Sequence, residues 1–304
     1  MAENLFAPAP APKTALGRYR VLGPNCGLRV SPLQLGGHVD RHGMERDDGN
    51  DESEEWIGEW MASRNVRDRV IIATKYTTDY KLHSLGKNEA ILFGGNHKRS
   101  LHMSEMMDSL HILLEQGKVL YLGVSDTPAW VVSAANQYAI DHGKNPFVFY
   151  QGRWNVMLRD FEREIIPMAR QFGLALAPWD AIGSGRLLSK KQLEARLASG
   201  EKMRGQGGNV QTEMERKYSE VLEEVGKEHN VDSVTAVALA YVMAKTPYVF
   251  PLVGGRKTSH LHDNIRSLEI KLTSEQIAKI DSVQEFEHGG TLDFLPGPKP
   301  FGLA

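Results

Sequence analysis

A single cysteine, Cys26, occurs in 304 residues. An internal disulfide needs two, so the stapled framework of a small secreted domain is excluded and a reducing cytosol is the expected compartment. No apolar run approaches the roughly 20 residues that cross a bilayer. The opening Met1-Ala-Glu-Asn-Leu-Phe-Ala-Pro has neither the basic start nor the apolar stretch of a secretory signal, so no membrane contact is expected. An excess of charge of either sign is also lacking. A net charge of -2 gives no basic surface for nucleic acid. The 11 histidines include no H-E-x-x-H spacing, and His260 and His262 are only two apart, so no metal site is expected. What remains is 41% hydrophobic and 24% charged, an ordinary globular composition able to bury a sizeable core.

Short apolar runs that end abruptly in polar residues are what the chain does have. Val70-Ile-Ile-Ala-Thr74 ends at Lys75, Leu120–Val124 at Ser125-Asp126, and Phe147–Tyr150 at Gln151. Leu174–Trp179 runs into Gly183-Ser-Gly-Arg186, and Val249–Val253 into Gly254-Gly-Arg-Lys257. Helix-patterned segments follow most of them. A β/α-barrel displays its active-site face in this way, with polar groups at the carboxyl ends of parallel strands.

The intervening pattern predicts a hairpin over Tyr19–Val30, a first strand at Leu33–Leu35 and a helix over Glu54–Ser63. Further helices are expected over 103–114, from Thr127-Pro128 (N-cap and first-turn proline) to Gly143, and over 161–172, 212–229, 233–244, 259–268 and 273–283. Residues 183–211 read as a loop with one helical turn. No boundary interrupts residues 17–285, which are expected to form one domain between an Ala/Pro-rich lead (1–16) and a Gly/Pro-rich tail (286–304).

Gly254-Gly255-Arg256-Lys257 sits between a strand and a helix start, where glycine lets a phosphate approach and cations balance it. A basic turn with a helix cap would look the same. Gly183, Ser184, Gly185 and Arg186 repeat the pattern after the preceding strand, and two such turns match the phosphate position after the last two strands of a barrel. Trp179 could be core or could stack on a flat heterocycle. Gln151 and Ser125 suit a carboxamide, or equally satisfy strand-end backbone groups. Lys75 could lower a neighbour's pKa, form a Schiff base, or simply extend its stem along the surface.

These segments resemble the aldo-keto reductase superfamily, and within it the fungal aryl-alcohol dehydrogenase and norsolorinic acid reductase group. The residues that carry the resemblance are Ser53-Glu-Glu-Trp-Ile-Gly-Glu-Trp60, Ile72-Ala-Thr-Lys-Tyr76, Gly117–Asp126, Tyr150-Gln-Gly-Arg-Trp-Asn155 and Pro251–Asn264. The resemblance implies a (β/α)8 TIM-barrel fold, NADP as cofactor, and reduction of an aldehyde or ketone, or oxidation of the alcohol. On it, Ser125, Asp126 and Gln151 would hold the nicotinamide carboxamide and Trp179 would stack on the ring. Gly183, Ser184 and Gly185 would line the pyrophosphate. Arg256 and Lys257 would meet the 2′-phosphate, with His260, Asp263 and Asn264 around the adenosine. Lys75 matches the family's catalytic lysine.

Two internal segments of the family pattern are missing. The family places an aspartate and a tyrosine at the second strand's end and a histidine after the fourth. Here the twelve residues His38–Gly49 cannot hold the helix and strand that need roughly twenty. A single helix joins Lys98-Arg-Ser-Leu101 to Met106–His111, where the family has a helix, a strand and another helix. An incomplete barrel of about six core strands is therefore expected. Tyr76, His38, His42, Tyr80 and His97 are the available substitutes for the missing acid. The alternatives to a working reductase are a non-catalytic NADP(H)-binding sensor or scaffold, and a decayed or incomplete reductase.

Overall fold

The expected hairpin forms. In the computed structural model, which describes residues 11–36, 52–76, 102–200, 210–255 and 257–287, strands β1 (Arg20–Gly23) and β2 (Cys26–Val30) pair antiparallel. Alternation along the pair buries Leu22 and Cys26 and leaves Val21 exposed, as a ribbon with one covered face requires. The buried face packs against Val148, Ala175 and Phe250, so the hairpin plugs one end of the parallel sheet.

That sheet is an arc. Strand β3 (Gln34–Leu35) pairs in parallel with β7 (Leu252–Val253), and β4 (Leu122–Ser125), β5 (Phe147–Arg153) and β6 (Ala175–Trp179) pair in parallel with one another. A bridge between Leu176 and Val249 joins the two groups: Leu176 N donates to Tyr248 O at 2.9 Å and Phe250 N to Leu176 O at 2.8 Å. The strand expected at 249–253 is thus shared between two neighbours. Its first residues serve β6, while Pro251 O and Val253 O each accept an N–H of β3-side residues, Gln34 and Gly36, at 2.9 Å. Proline has no N–H to give, so the change of partner falls where a ladder bond could not form anyway.

One expected strand is absent. After a 3-10 turn at Arg67–Arg69, residues 70–76 run without ladder partners among the described residues, with Ile71 52% and Ile72 43% exposed. The described residues therefore hold five parallel strands rather than six. The reason is long-range. A β-branched run gains its stability from cross-strand neighbours, and the described residues supply none to this run.

Helices accompany the strands. They are α1 (Glu52–Arg64), α2 (Met103–Glu115), α3 (Ala129–Asp141), α4 (Ile165–Phe172), α5 (Lys190–Ser199), α6 (Glu213–Glu228), α7 (Val234–Lys245), α8 (Thr258–Arg266) and α9 (Ser274–Asp281). Apolar nearly all round, α7 buries Val234 and Ala236 through Val242, and forms the centre of the helical layer. The segment expected to be loop at 183–211 contains a full helix, α5, started by a reciprocal capping box between Ser189 and Gln192. Thr127 does not cap α3; its hydroxyl instead donates to Ser125 O at 2.8 Å. The helix expected over 161–172 starts later, at Ile165, because Asp160–Glu162 forms a 3-10 turn.

A buried ionic cluster locks that turn to the last helix. Lys245 Nζ lies 3.0 Å from Glu162 Oε2 and 2.9 Å from Asp281 Oδ2, while Arg159 Nη2 lies 3.2 Å from Glu162 Oε2. The Tyr241 hydroxyl donates to Asp281. Past α9, Phe286 lies against the guanidinium groups of Arg159 and Arg163.

Candidate active site

The carboxyl ends of β4, β5 and β6 present one row of polar side chains. Ser125 is in register with Gln151 and Gln151 with Ala177, and one step further Arg153 is in register with Trp179. Residues two apart on a strand share a face, so Ser125, Gln151, Arg153 and Trp179 line the same side. The other side of β5 belongs to Tyr150, whose ring packs edge-on to Phe161. Desolvation pushes the Tyr150 phenol up to about 12, although its hydrogen bond to Thr127 O works the other way. It stays a neutral donor, and at 2.8 Å it fixes the turn after β4.

That turn carries Asp126 in a left-handed conformation (φ 47°), with its N–H bonded to Gln151 O at 2.9 Å. Its carboxylate accepts the Trp179 indole N–H at 3.0 Å and the Ser125 hydroxyl at 3.1 Å. Trp179 is thereby held by its edge while remaining 37% exposed. The Arg153 guanidinium lies 5.5 Å from its ring centroid. Four of the expected carboxamide and stacking residues, Ser125, Asp126, Gln151 and Trp179, are thus brought together.

The glycine turn that follows β6 is fixed by a residue that sequence reasoning missed. Gly183, Ser184 and Gly185 all have positive φ (58°, 54° and 74°), a run that serine enters only when something holds it. Asp180, itself at φ 58°, supplies the hold: its Oδ1 accepts the Ser184 hydroxyl at 2.6 Å and its backbone O accepts Gly183 N at 2.8 Å. Arg153 Nε donates to Asp180 Oδ2 at 2.7 Å, and the buried Asn155 amide donates to Asp180 O at 3.1 Å. The readable signal was Asp180 four residues ahead of Ser184, an acceptor placed to reach forward into a turn. Arg186, expected to face a phosphate, instead directs its guanidinium into Glu215, and also to Val210 O at 2.8 Å.

The second glycine turn precedes α8. A Cβ on Gly255 would lie 2.7 Å from the Cβ of His260, so only glycine permits this approach of loop to helix. Lys257 is exposed at the helix start, and His260 N closes the first turn on Lys257 O at 3.1 Å. Asp263 is half-buried and Asn264 is 2% exposed. Arg256 lies outside the described residues, as do His38, His42, Tyr80 and His97. Lys75 is exposed in the segment that joins no strand among the described residues, where no described sheet aims its amine. Desolvation raises the neighbouring Tyr76 phenol, the opposite of the activation a proton donor needs.

The described residues contain no cluster of three or more His, Cys, Asp or Glu able to hold a metal, and no helix long and apolar enough to cross a membrane. A concavity of about 460 Å³ lined by Asn65, Arg67, Asp68 and Arg69 shares no residue with the row.

Residues 95–285 match the model of the aldo/keto reductase family. The chain belongs to the aldo/keto reductase family. A putative aryl-alcohol dehydrogenase of Saccharomyces cerevisiae is 50% identical over 94% of this chain and 92% of its own length. The aldo-keto reductase ausK of Emericella nidulans is 46% identical over 99% and 90% of the two chains. An aryl-alcohol dehydrogenase of Phanerodontia chrysosporium, named for NADP(+), is 41% identical over 94% and 91%. As an aldo/keto reductase the chain is an oxidoreductase. The alignment with the yeast relative runs over 344 residues although this reductase has 304, so the relative carries internal residues that are missing here.

Proposed function

We propose that this aldo/keto reductase uses NADP(H) to interconvert an aryl or polyketide-like aldehyde or ketone with its alcohol, as a cytosolic step of secondary metabolism. The observation that carries the reading is the shared row at the strand ends: Gln151, Ser125 and Asp126 beside Trp179, which is held through its indole N–H and is 37% exposed. The residues fit such a cofactor. Gln151 and Ser125 offer donors and acceptors to a carboxamide, and the indole offers an apolar face to a ring. Space also remains at the two glycine turns, since a Cβ at Gly185 or Gly254 would meet nothing within 4 Å. Ser125, Asp126 and Gln151 would hold the carboxamide, Gly183–Gly185 the pyrophosphate, and Arg256, Lys257, His260, Asp263 and Asn264 the adenosine end with its 2′-phosphate. When bound, NADPH supplies the hydride. Lys75 would act on the proton by lowering the pKa of a neighbouring donor. The aryl substrate class is supported by the names of the relatives.

In this reading residues 17–285 are one domain, and the five-stranded arc is the cofactor-gripping part of an incomplete (β/α)8 barrel. One observation favours a second reading, in which NADP(H) is bound without turnover: the Lys75–Tyr76 segment lacks the strand that would place it at the row. Titrating NADPH fluorescence and then following NADPH absorbance with aromatic aldehydes separates the two. Binding with turnover supports the reductase, binding alone supports a sensor or scaffold, and no binding removes both.

A further inference from the structure

The sequence places a cation directly after the first glycine turn, but Arg186 is committed to Glu215. Arg153 stands in a different position. It ends β5 in register with Trp179, its side chain is 51% exposed, and its Nε is taken by Asp180 Oδ2 at 2.7 Å. The same carboxylate, only 2% exposed, takes the Ser184 hydroxyl on its other oxygen at 2.6 Å. One buried carboxylate thus ties an arginine to the left-handed turn Gly183–Gly185. No protein group among the described residues takes the arginine's terminal nitrogens.

We propose that Arg153 is the anion-binding cation of this site, that Asp180 is its positioning residue, and that the group bound is the pyrophosphate of a nicotinamide dinucleotide. The inference rests on the NADP(H) reading above. A guanidinium anchored through Nε loses little freedom on binding and still presents two terminal nitrogens, a fork that matches two phosphate oxygens. Asp180 alone would put an uncompensated negative charge beside the turn and repel a phosphate. Paired with Arg153 and capped by Ser184, it orders both partners and leaves the pair's outward face cationic. The contact with Trp179 places that cation beside the ring expected to meet the nicotinamide, so the pyrophosphate would lie between indole and turn.

The test compares NADPH affinity, by fluorescence titration, in the wild type, Arg153→Met, Arg153→Lys, Asp180→Asn and Arg186→Met. Inorganic pyrophosphate and adenosine 2′-monophosphate serve as separate competitors. Arg153→Met is expected to weaken NADPH by about tenfold or more, the scale of a lost charge-assisted pair. It should also abolish displacement by pyrophosphate, while displacement by adenosine 2′-monophosphate stays where it was. Arg153→Lys should recover part of the loss. Asp180→Asn should weaken NADPH and pyrophosphate together without moving the adenosine competitor, a split that general unfolding would not produce. NADPH affinity unchanged in Arg153→Met, or a greater loss in Arg186→Met, overturns the assignment while leaving the cofactor reading intact. A folded wild type that fails to bind NADPH removes both.

Discussion

Lys245→Met should be among the most damaging single changes outside the site. Four charged groups meet between α7, α9 and the Asp160–Glu162 turn, two of each sign. Glu162 is 0% exposed, Lys245 5%, Arg159 11% and Asp281 25%. Removing the ammonium leaves two carboxylates facing one guanidinium in a largely buried cluster. Breaking a buried pair from one side costs about 3–5 kcal/mol, a large part of the roughly 5–15 kcal/mol that holds a typical domain. With a urea slope near 3 kcal/mol per molar, the unfolding midpoint should fall by about 1–2 M. Urea titration followed by far-ultraviolet circular dichroism measures it. Salt should barely change the loss, because buried pairs are poorly screened. Glu162→Gln with Lys245→Met should lose less than the sum of the two single changes. A midpoint within about 0.3 M of wild type, or a loss that vanishes in high salt, would refute the cluster's role.

Two further outcomes follow from single residues. Burial works to raise the Glu215 carboxyl, but Arg186 and the Thr212 N–H outweigh it and hold the group below its ordinary value of 4.5. A depressed acid adds stability above that value and loses it as the pH falls through the lower folded value, so Glu215→Gln should flatten the acid limb of a urea-midpoint profile below pH 4.5. An acid limb as steep as wild type would contradict this. Lys75→Met should abolish any aldehyde turnover while leaving NADPH affinity within about twofold; turnover at the wild-type rate would take Lys75 out of the mechanism.

The sequence made the site's polar row legible because each member directly ends an apolar run, and strand register then carried Ser125, Gln151 and Trp179 to one edge. What it concealed depended on long-range partners. Val70–Thr74 has every local mark of a strand, yet its ladder needs neighbours that are not found among the described residues. Arg186 looked like a phosphate cation because its acceptor, Glu215, is distant in sequence and visible only in the fold. Asp180 was overlooked for a different reason: its near partners, Gly183 and Ser184, sit in a left-handed turn that leaves no periodic signature, and Arg153 and Asn155 are more distant. The α5 capping box, Ser189 with Gln192, was readable and was masked by the Gly- and Lys-rich sequence around it.

Hydrogen exchange of the full chain with and without saturating NADPH tests most directly whether the strand-end row grips a dinucleotide. Slowed exchange should concentrate in residues 122–127, 150–155, 179–186 and 252–260, with the hairpin at 20–30 unchanged. Identical exchange across all four stretches, or protection confined to other parts of the chain, would contradict it.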